Sequence, residues 1–202
     1  MRFVLASASP ARRSLLSAAG VHAEVIVSDV DEDALTAESR GMAPRQLVQR
    51  LAEAKAAAVA QQLDGPGLVL GCDSMLELDG EAHGKPATVG DAMTRWRQMR
   101  GRSGILHTGH CLVDLDAGRG LAATASTTVH FSDITDHEIA LYCATGEPTR
   151  VAGAFTVDGL GGWFVKGVEG DHHNVVGLSL PLLRDMLAEL GHGLTDIGYT
   201  AR

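Results

Sequence analysis

The run Leu68-Val69-Leu70-Gly71-Cys72 carries no polar side chain, so neither face of the strand it predicts can look onto water. Such a strand belongs at the centre of a covered sheet. Before it, Pro44 opens a helix expected to reach about Leu63, with Leu47, Leu51, Ala54 and Ala58 on one face, and Asp64-Gly65-Pro66-Gly67 stops it. After it, Asp79-Gly80 predicts a hairpin that leads into Gly84-Lys85-Pro86.

Outward from this centre, Phe3-Val4-Leu5-Ala6 reads as a strand, and Ser9-Pro10 as the cap and first-turn proline of a helix ended by Gly20. Val25-Ile26-Val27 is expected as a second strand, followed by an acidic loop over Ser28 to Asp33. A helix from about Gly90 to Arg100 precedes two long strands between Ile105 and Phe131, joined by a turn at Asp116 to Gly120. Thr135 and Glu138 form a capping box, glycine-rich hairpins are expected over Gly153 to Gly170, and Leu182 to Leu190 reads as the last helix. Strands and helices are interleaved with no repeat and no dividing linker. The expectation is an α/β fold with a mixed, twisted sheet and flanking helices, one domain over residues 1–202.

With 45% apolar but only 4% aromatic residues, the core is expected to be built mainly from Ala, Val, Leu and Ile. The net charge of -8 argues against nucleic acid or an anionic membrane as partner, since either needs clustered positive charge. Cys72, Cys111 and Cys143 are odd in number and match no disulfide framework or zinc signature, so they read as reduced thiols. No apolar run approaches the roughly 20 residues of a membrane span, and Phe3 to Ala6 is too short for a signal-peptide core. A cytoplasmic protein is expected.

Five places carry candidate chemistry. Ser7-Ala8-Ser9-Pro10-Ala11-Arg12-Arg13 lies between a strand and a helix, where free backbone N–H groups, two hydroxyls and two guanidinium groups suit a phosphate; a capped surface helix with solvated arginines is equally compatible. Lys55 falls within or beside the apolar stripe of its helix, so it either snorkels to water or points at an anion in a cleft. Asp73, directly after the apolar run, is expected at the carboxyl end of the central strand, where ligands of α/β sheets bind, although a lone aspartate there can also cap a turn. Lys85 sits on a constrained loop that is no Walker motif but can neutralise a phosphate oxygen, and Glu32 in the acidic loop can offer an oxygen ligand to Mg²⁺. His172-His173 and the other histidines lack metal-ligand spacing and read as structural or surface residues.

Taken in order, Leu5 to Arg13, Asp31-Glu32, Lys55-Ala56, Gly71-Cys72-Asp73-Ser74, Gly84-Lys85-Pro86, Ala152-Gly153-Ala154-Phe155 and Asn174-Val175-Val176-Gly177-Leu178 resemble the Maf family. The resemblance implies an elongated two-lobed fold with a nucleotide cleft, similar to the inosine triphosphate pyrophosphatases. It implies hydrolysis of a nucleoside triphosphate between its α and β phosphates, with a divalent cation, Mg²⁺ or Mn²⁺, as cofactor. Ser7, Arg12, Glu32, Lys55, Asp73 and Lys85 match the family's active-site positions, Asp73 the proton acceptor, with Glu32 and Asp73 sharing the ion. Ser9, Arg13, Ser74, Phe155 and Asp158 are added as substrate-binding candidates. The family's role implies removal of non-standard nucleotides, with a link to septum formation, and leaves a homodimer open.

Where pyrimidine-preferring relatives carry Gln-Gly this chain has Asp158-Gly159, and Phe155 resembles the residue of relatives acting on 7-methyl-GTP. A guanine-type or modified purine is therefore expected as the better substrate, while Ala11 and Leu160-Gly161-Gly162, which resembles the pyrimidine group, leave broad specificity open. Many members also carry a bulky or basic residue in place of Ala11 and a histidine in place of Gly104. Two other readings stand beside this one: a nucleotide-binding regulator with little turnover, and an aspartyl-phosphate phosphatase, which lacks its second aspartate because Met75 stands there.

Overall fold

The computed structural model describes residues 1–200. Its core is a seven-stranded mixed sheet in the order β2-β1-β3-β5-β6-β7, with β4 paired to β3. Strand β1 (Phe3–Ala6) runs parallel to both β2 (Glu24–Val25) and β3 (Leu68–Leu78); β3 pairs antiparallel with β5 (Ser103–Asp114), β5 with β6 (Arg119–Phe131), and β6 with β7 (Val165–Glu169). The helices are α1 (Pro10–Ala18), α2 (Glu32–Glu38), α3 (Pro44–Ala60), α4 (Val89–Met99), α5 (Asp136–Ala144), α6 (His172–Val176) and α7 (Leu180–Leu190). No helix among the described residues is long and apolar enough to cross a membrane.

The central strand is longer than its apolar run. Expected to end at Cys72, β3 continues to Leu78, because Leu76 and Leu78 stay buried at alternate positions while the polar residues between them face the other way. Asp73 therefore lies within the strand and not at its end. The parallel neighbour β1 stops opposite Gly71, and β4 (Glu81–His83) begins opposite Leu76, so Cys72 to Met75 have no strand on that side. This gap in the sheet edge defines the cleft.

Two apolar cores flank the gap. Leu68, Leu70 and Cys72 of β3 and Leu112 of β5 enter the first, with Leu5, Leu16, Leu183 and Leu187. Leu76 and Leu78 of β3 and Leu106 of β5 enter the second. The second core departs from the aliphatic expectation: fully buried Trp96 meets Phe131, Tyr142 and Phe164 edge-on at 5.5–5.8 Å, and its indole N–H donates to the Ala154 carbonyl at 2.8 Å.

Other differences have local causes. Only Glu24 and Val25 pair with β1, because Ser7 N–H turns back onto the Leu5 carbonyl at 3.0 Å and ends the ladder; Val27 is exposed. The acidic segment is not a loop throughout, since the Asp31 carboxylate accepts from Ala34 N–H at 2.9 Å and caps α2, whose first turn holds Glu32 and Asp33 at its positive end. The hairpins expected after Gly153 are 3-10 turns and the single strand β7. There the Glu147 carboxylate takes the donors a partner strand would have met: Tyr142 OH, Thr156 Oγ1, and the N–H groups of Leu160 and Gly161, all at 2.7–3.0 Å.

Candidate active site

Helix α3 reaches the sheet through two glycines. A Cβ built on Gly71 would come within 2.2 Å of the Ala52 carbonyl, and one on Gly109 within 2.2 Å of the Val48 carbonyl. No side chain larger than hydrogen fits at either position, so the helix lies on the strands backbone to backbone. Gly109 is the direct cross-strand partner of Asp73. With the helix this close, Lys55 neither snorkels nor remains unpaired: its Nζ donates to Asp73 Oδ1 at 2.6 Å and pairs with Glu32 Oε1 at 2.9 Å. Lys55 and Asp73 are 6% and 7% exposed, whereas the Glu32 side chain is about half open to solvent.

Burial pushes the Asp73 carboxyl above the ordinary aspartate value, and the Lys55 and Arg12 charges oppose that rise. Its second oxygen, Oδ2, takes no hydrogen bond from the described residues. The carboxylate thus keeps one oxygen tied to Lys55 and one free for a proton.

On the other lip, the Ser9 hydroxyl caps α1 by accepting from Arg12 N–H at 3.4 Å, and Pro10 fills the first helical position. Ser7 Oγ accepts twice, from Ser9 N–H at 3.2 Å and from Arg12 Nη1 at 2.9 Å. With both lone pairs engaged, its own proton is the one left for a ligand. Arg12 is 8% exposed; besides Ser7 it donates from Nη1 to the Cys72 carbonyl at 2.9 Å, from Nε to the Gly177 carbonyl at 2.7 Å, and from Nη2 to Ser74 Oγ at 2.9 Å. The solvated-arginine alternative does not describe it.

The structure therefore brings together Ser7, Ser9, Arg12, Glu32, Lys55, Asp73 and Ser74. Strand alternation turns Ser74 to the face opposite Asp73, where it meets Arg12 and Thr108. Lys85 is exposed and joins no ion pair among the described residues. Its loop leaves β4 at His83, opposite Leu76, at the level of the gap, and is held by the Gly84 carbonyl, which accepts from Arg95 Nη1 at 2.6 Å and Gly153 N–H at 3.1 Å.

Three candidates stand apart from this group. Arg13 is exposed, on a surface depression shared with Ser14, Val21 and His22. Phe155 is 4% exposed and packs edge-on against Phe131 at 5.0 Å in the second core, because its neighbours Ala154 and Gly153 are drawn down onto Trp96 and Leu76. Asp158 is exposed on the turn that follows. Sequence reasoning missed Thr108, Gly109 and the Asn174 and Gly177 carbonyls. They come to Asp73 and Arg12 through strand register and a chain reversal; no local pattern marks Thr108 or Gly109, and the Asn174–Leu178 motif did not reveal the role of its carbonyls.

No three His, Cys, Asp or Glu side chains are grouped to hold a metal ion among the described residues. Glu32 and Asp73 nevertheless converge on one point, the Lys55 ammonium, and two hard carboxylate oxygens are what a small divalent ion takes when substrate phosphates and water complete its shell. The donor set fits such an ion.

The family model for Maf-like proteins matches residues 2–190. The chain belongs to the Maf-like family. Among its Maf-like relatives, the nucleoside triphosphate pyrophosphatase of Salinispora tropica is 58% identical over 98% of this chain and 87% of its own length. The protein of the same name from Streptomyces coelicolor is 56% identical over 97% and 94%, and that of Nostoc punctiforme 49% identical over 96% of each. A solved dITP/XTP pyrophosphatase from Mycobacterium abscessus aligns with a TM-score of 0.40 at 14% identity, over 66% of this chain and 76% of that one. At that distance the Maf-like fold rests on the strands and helices described above.

Proposed function

We propose that this chain is a nucleoside triphosphate pyrophosphatase, a hydrolase that releases pyrophosphate and a nucleoside monophosphate, with Asp73 as the proton acceptor. The observation that carries the reading is the buried Asp73–Lys55 pair, joined by the half-exposed Glu32 at the gap in the sheet edge, beside the Ser7 and Arg12 lip. A carboxylate whose pKa burial raises, with one oxygen free, suits general-base removal of a proton from water. Lys55 holds that carboxylate in place and neutralises it until substrate arrives. Ser7, whose proton has no acceptor among the described residues, donates to a phosphate oxygen, and the N-terminus of α1 adds its partial positive charge. Lys85, free on its loop, neutralises charge on the departing pyrophosphate.

Glu32 and Asp73 would hold Mg²⁺ or Mn²⁺, which would supply charge neutralisation and a more acidic water. The net charge of -8 supports a small nucleotide, not a nucleic acid, as the partner. A panel of nucleoside triphosphates with chromatography of the products tests the reading. A monophosphate and pyrophosphate are expected, with no turnover once the divalent ion is chelated; orthophosphate and a diphosphate would sink it.

A further inference from the structure

The Asn174–Leu178 motif has no part in the chemistry above, yet it closes a buried hydrogen-bond chain on the face of β3 opposite Asp73. Thr108 is fully buried and its hydroxyl donates to the Asn174 carbonyl at 3.2 Å. A hydroxyl has one proton, so in the 2.9 Å contact between Thr108 Oγ1 and Ser74 Oγ it is Ser74 that donates. Ser74 Oγ in turn accepts from Arg12 Nη2. Every donor thus points one way, from the guanidinium through two hydroxyls to a carbonyl.

The far end of the chain is anchored as firmly. Asn174 is fully buried, and its amide donates to the Leu106 carbonyl and to Thr127 Oγ1, both at 3.1 Å. Thr127 Oγ1 donates to the Asp171 carbonyl at 2.9 Å. Three residues beyond Asn174, the Gly177 carbonyl takes Arg12 Nε, and the +128° φ of Gly177 is a conformation that side-chain-bearing residues rarely adopt. One short segment therefore holds Arg12 twice, directly through Gly177 and indirectly through Thr108 and Ser74.

Two chemical consequences follow. Ser74, its proton already committed, has no donor to offer a phosphate. Arg12 has four of its five N–H groups on protein acceptors, which leaves a single Nη2–H. We propose that Thr108 and Asn174 are positioning residues of the phosphate site: they fix the donor direction of Ser74 and with it the plane of the Arg12 guanidinium, so that its last N–H is presented to a phosphate oxygen. This rests on the phosphate-site reading above.

The experiment compares Thr108→Val, which keeps the shape and removes the hydroxyl, with Thr108→Ser, which keeps the hydroxyl. The expected result is a kcat/KM lower by about 10-fold in Thr108→Val, the loss of one buried hydrogen bond, and within about twofold of the parent in Thr108→Ser. Ser74→Ala should match Thr108→Val, and the double variant should be no worse than the weaker single, because both break the same chain. Calorimetric binding of inorganic pyrophosphate should weaken about 10-fold in Thr108→Val, a readout that needs no turnover. Multiplying losses in the double variant, or unchanged kcat/KM and pyrophosphate affinity in Thr108→Val, would overturn the proposal. Should Thr108→Val not fold, Ser74→Ala at its half-buried position decides by the same two measurements. Absence of turnover in the parent protein would instead count against the pyrophosphatase reading.

Discussion

Asp73 and Gly109 face each other across the β3–β5 ladder, and the missing side chain at one is what allows a cation to reach the other. The Val48 carbonyl occupies the place of the absent Cβ, so α3 lies low enough for Lys55 to end on the carboxylate. The Asp73–Lys55 contact is thus set by a backbone approach.

Gly109→Ala tests that dependence. The new methyl meets main-chain atoms of Val48 and Gln49 at 2.2–2.6 Å, which cannot rotate away. Lifting the helix should cost roughly 1–3 kcal/mol and lower Tm by several degrees. Activity should fall further than stability accounts for, since Lys55 moves with the helix. Calorimetry together with kcat/KM at a temperature well below the melt checks both; a stable variant with parental kcat/KM would show that the close approach is dispensable.

Asp73→Asn should lower kcat by on the order of 10²-fold or more while nucleotide affinity stays near parental, the pattern for loss of a general base. Steady-state kinetics beside a binding isotherm decide it. The same carboxyl sets a pH signature. Burial raises its pKa and Lys55 opposes that rise, so removing the ammonium in Lys55→Met should move the acid limb of the pH profile to higher pH. A limb that stays put, or moves to lower pH, would separate Lys55 from the titrating group.

His110 predicts how the protein fails in acid. The ring is fully buried and neutral, with Nδ1–H donating to the Thr108 carbonyl at 3.0 Å and Nε2 accepting from Ser179 N–H at 2.9 Å. Burial first, and Arg12 second, push its pKa down to about 4 from the ordinary 6.5. The unfolded chain therefore binds a proton that the native state refuses across that window. The contribution is intact above pH 6.5 and is lost as pH falls toward 4, about 3 kcal/mol in all. Denaturant titrations between pH 7 and 4 should show a shallower decline for His110→Gln than for the parent; parallel curves would contradict the assignment.

With the Phe155 ring packed into the second core against Phe131 and without an open face for a nucleobase, Asp158 is the remaining candidate for base reading. An exposed carboxylate accepts from the N1–H and N2–H donors of guanine. Asp158→Gln should shift the order of kcat/KM among 7-methyl-GTP, GTP, dTTP and UTP away from the guanine nucleotides. A parental preference for dTTP or UTP that the substitution leaves alone would remove Asp158 from base reading.

The residues legible in the sequence are those whose signal is local. Ser9-Pro10 and the Thr135/Glu138 box cap helices where expected, and Lys55 in an apolar stripe announces a buried charge in need of a partner. Asp73 was visible as a carboxylate on a buried strand, but its place within that strand was not, because polar residues after it hide the alternation of Leu76 and Leu78. Thr108 and Gly109 could not be read at all, since their roles arise from register between strands far apart in the chain, and Asn174 was visible only as part of a family motif, without its role. Phe155 misled for the opposite reason: a local motif suggested a base contact, while the pull of Trp96 on the Ala154 carbonyl buries the ring.

The long strands β3 and β5 run without interruption from one apolar core into the other. Neither half of the molecule can be cut away, exchanged or duplicated without severing a strand that both depend on. Variation in what such a molecule accepts is then expected at its rim, in loops such as the turn that carries Asp158, while Asp73, Ser74 and Thr108 stay fixed on the shared strands.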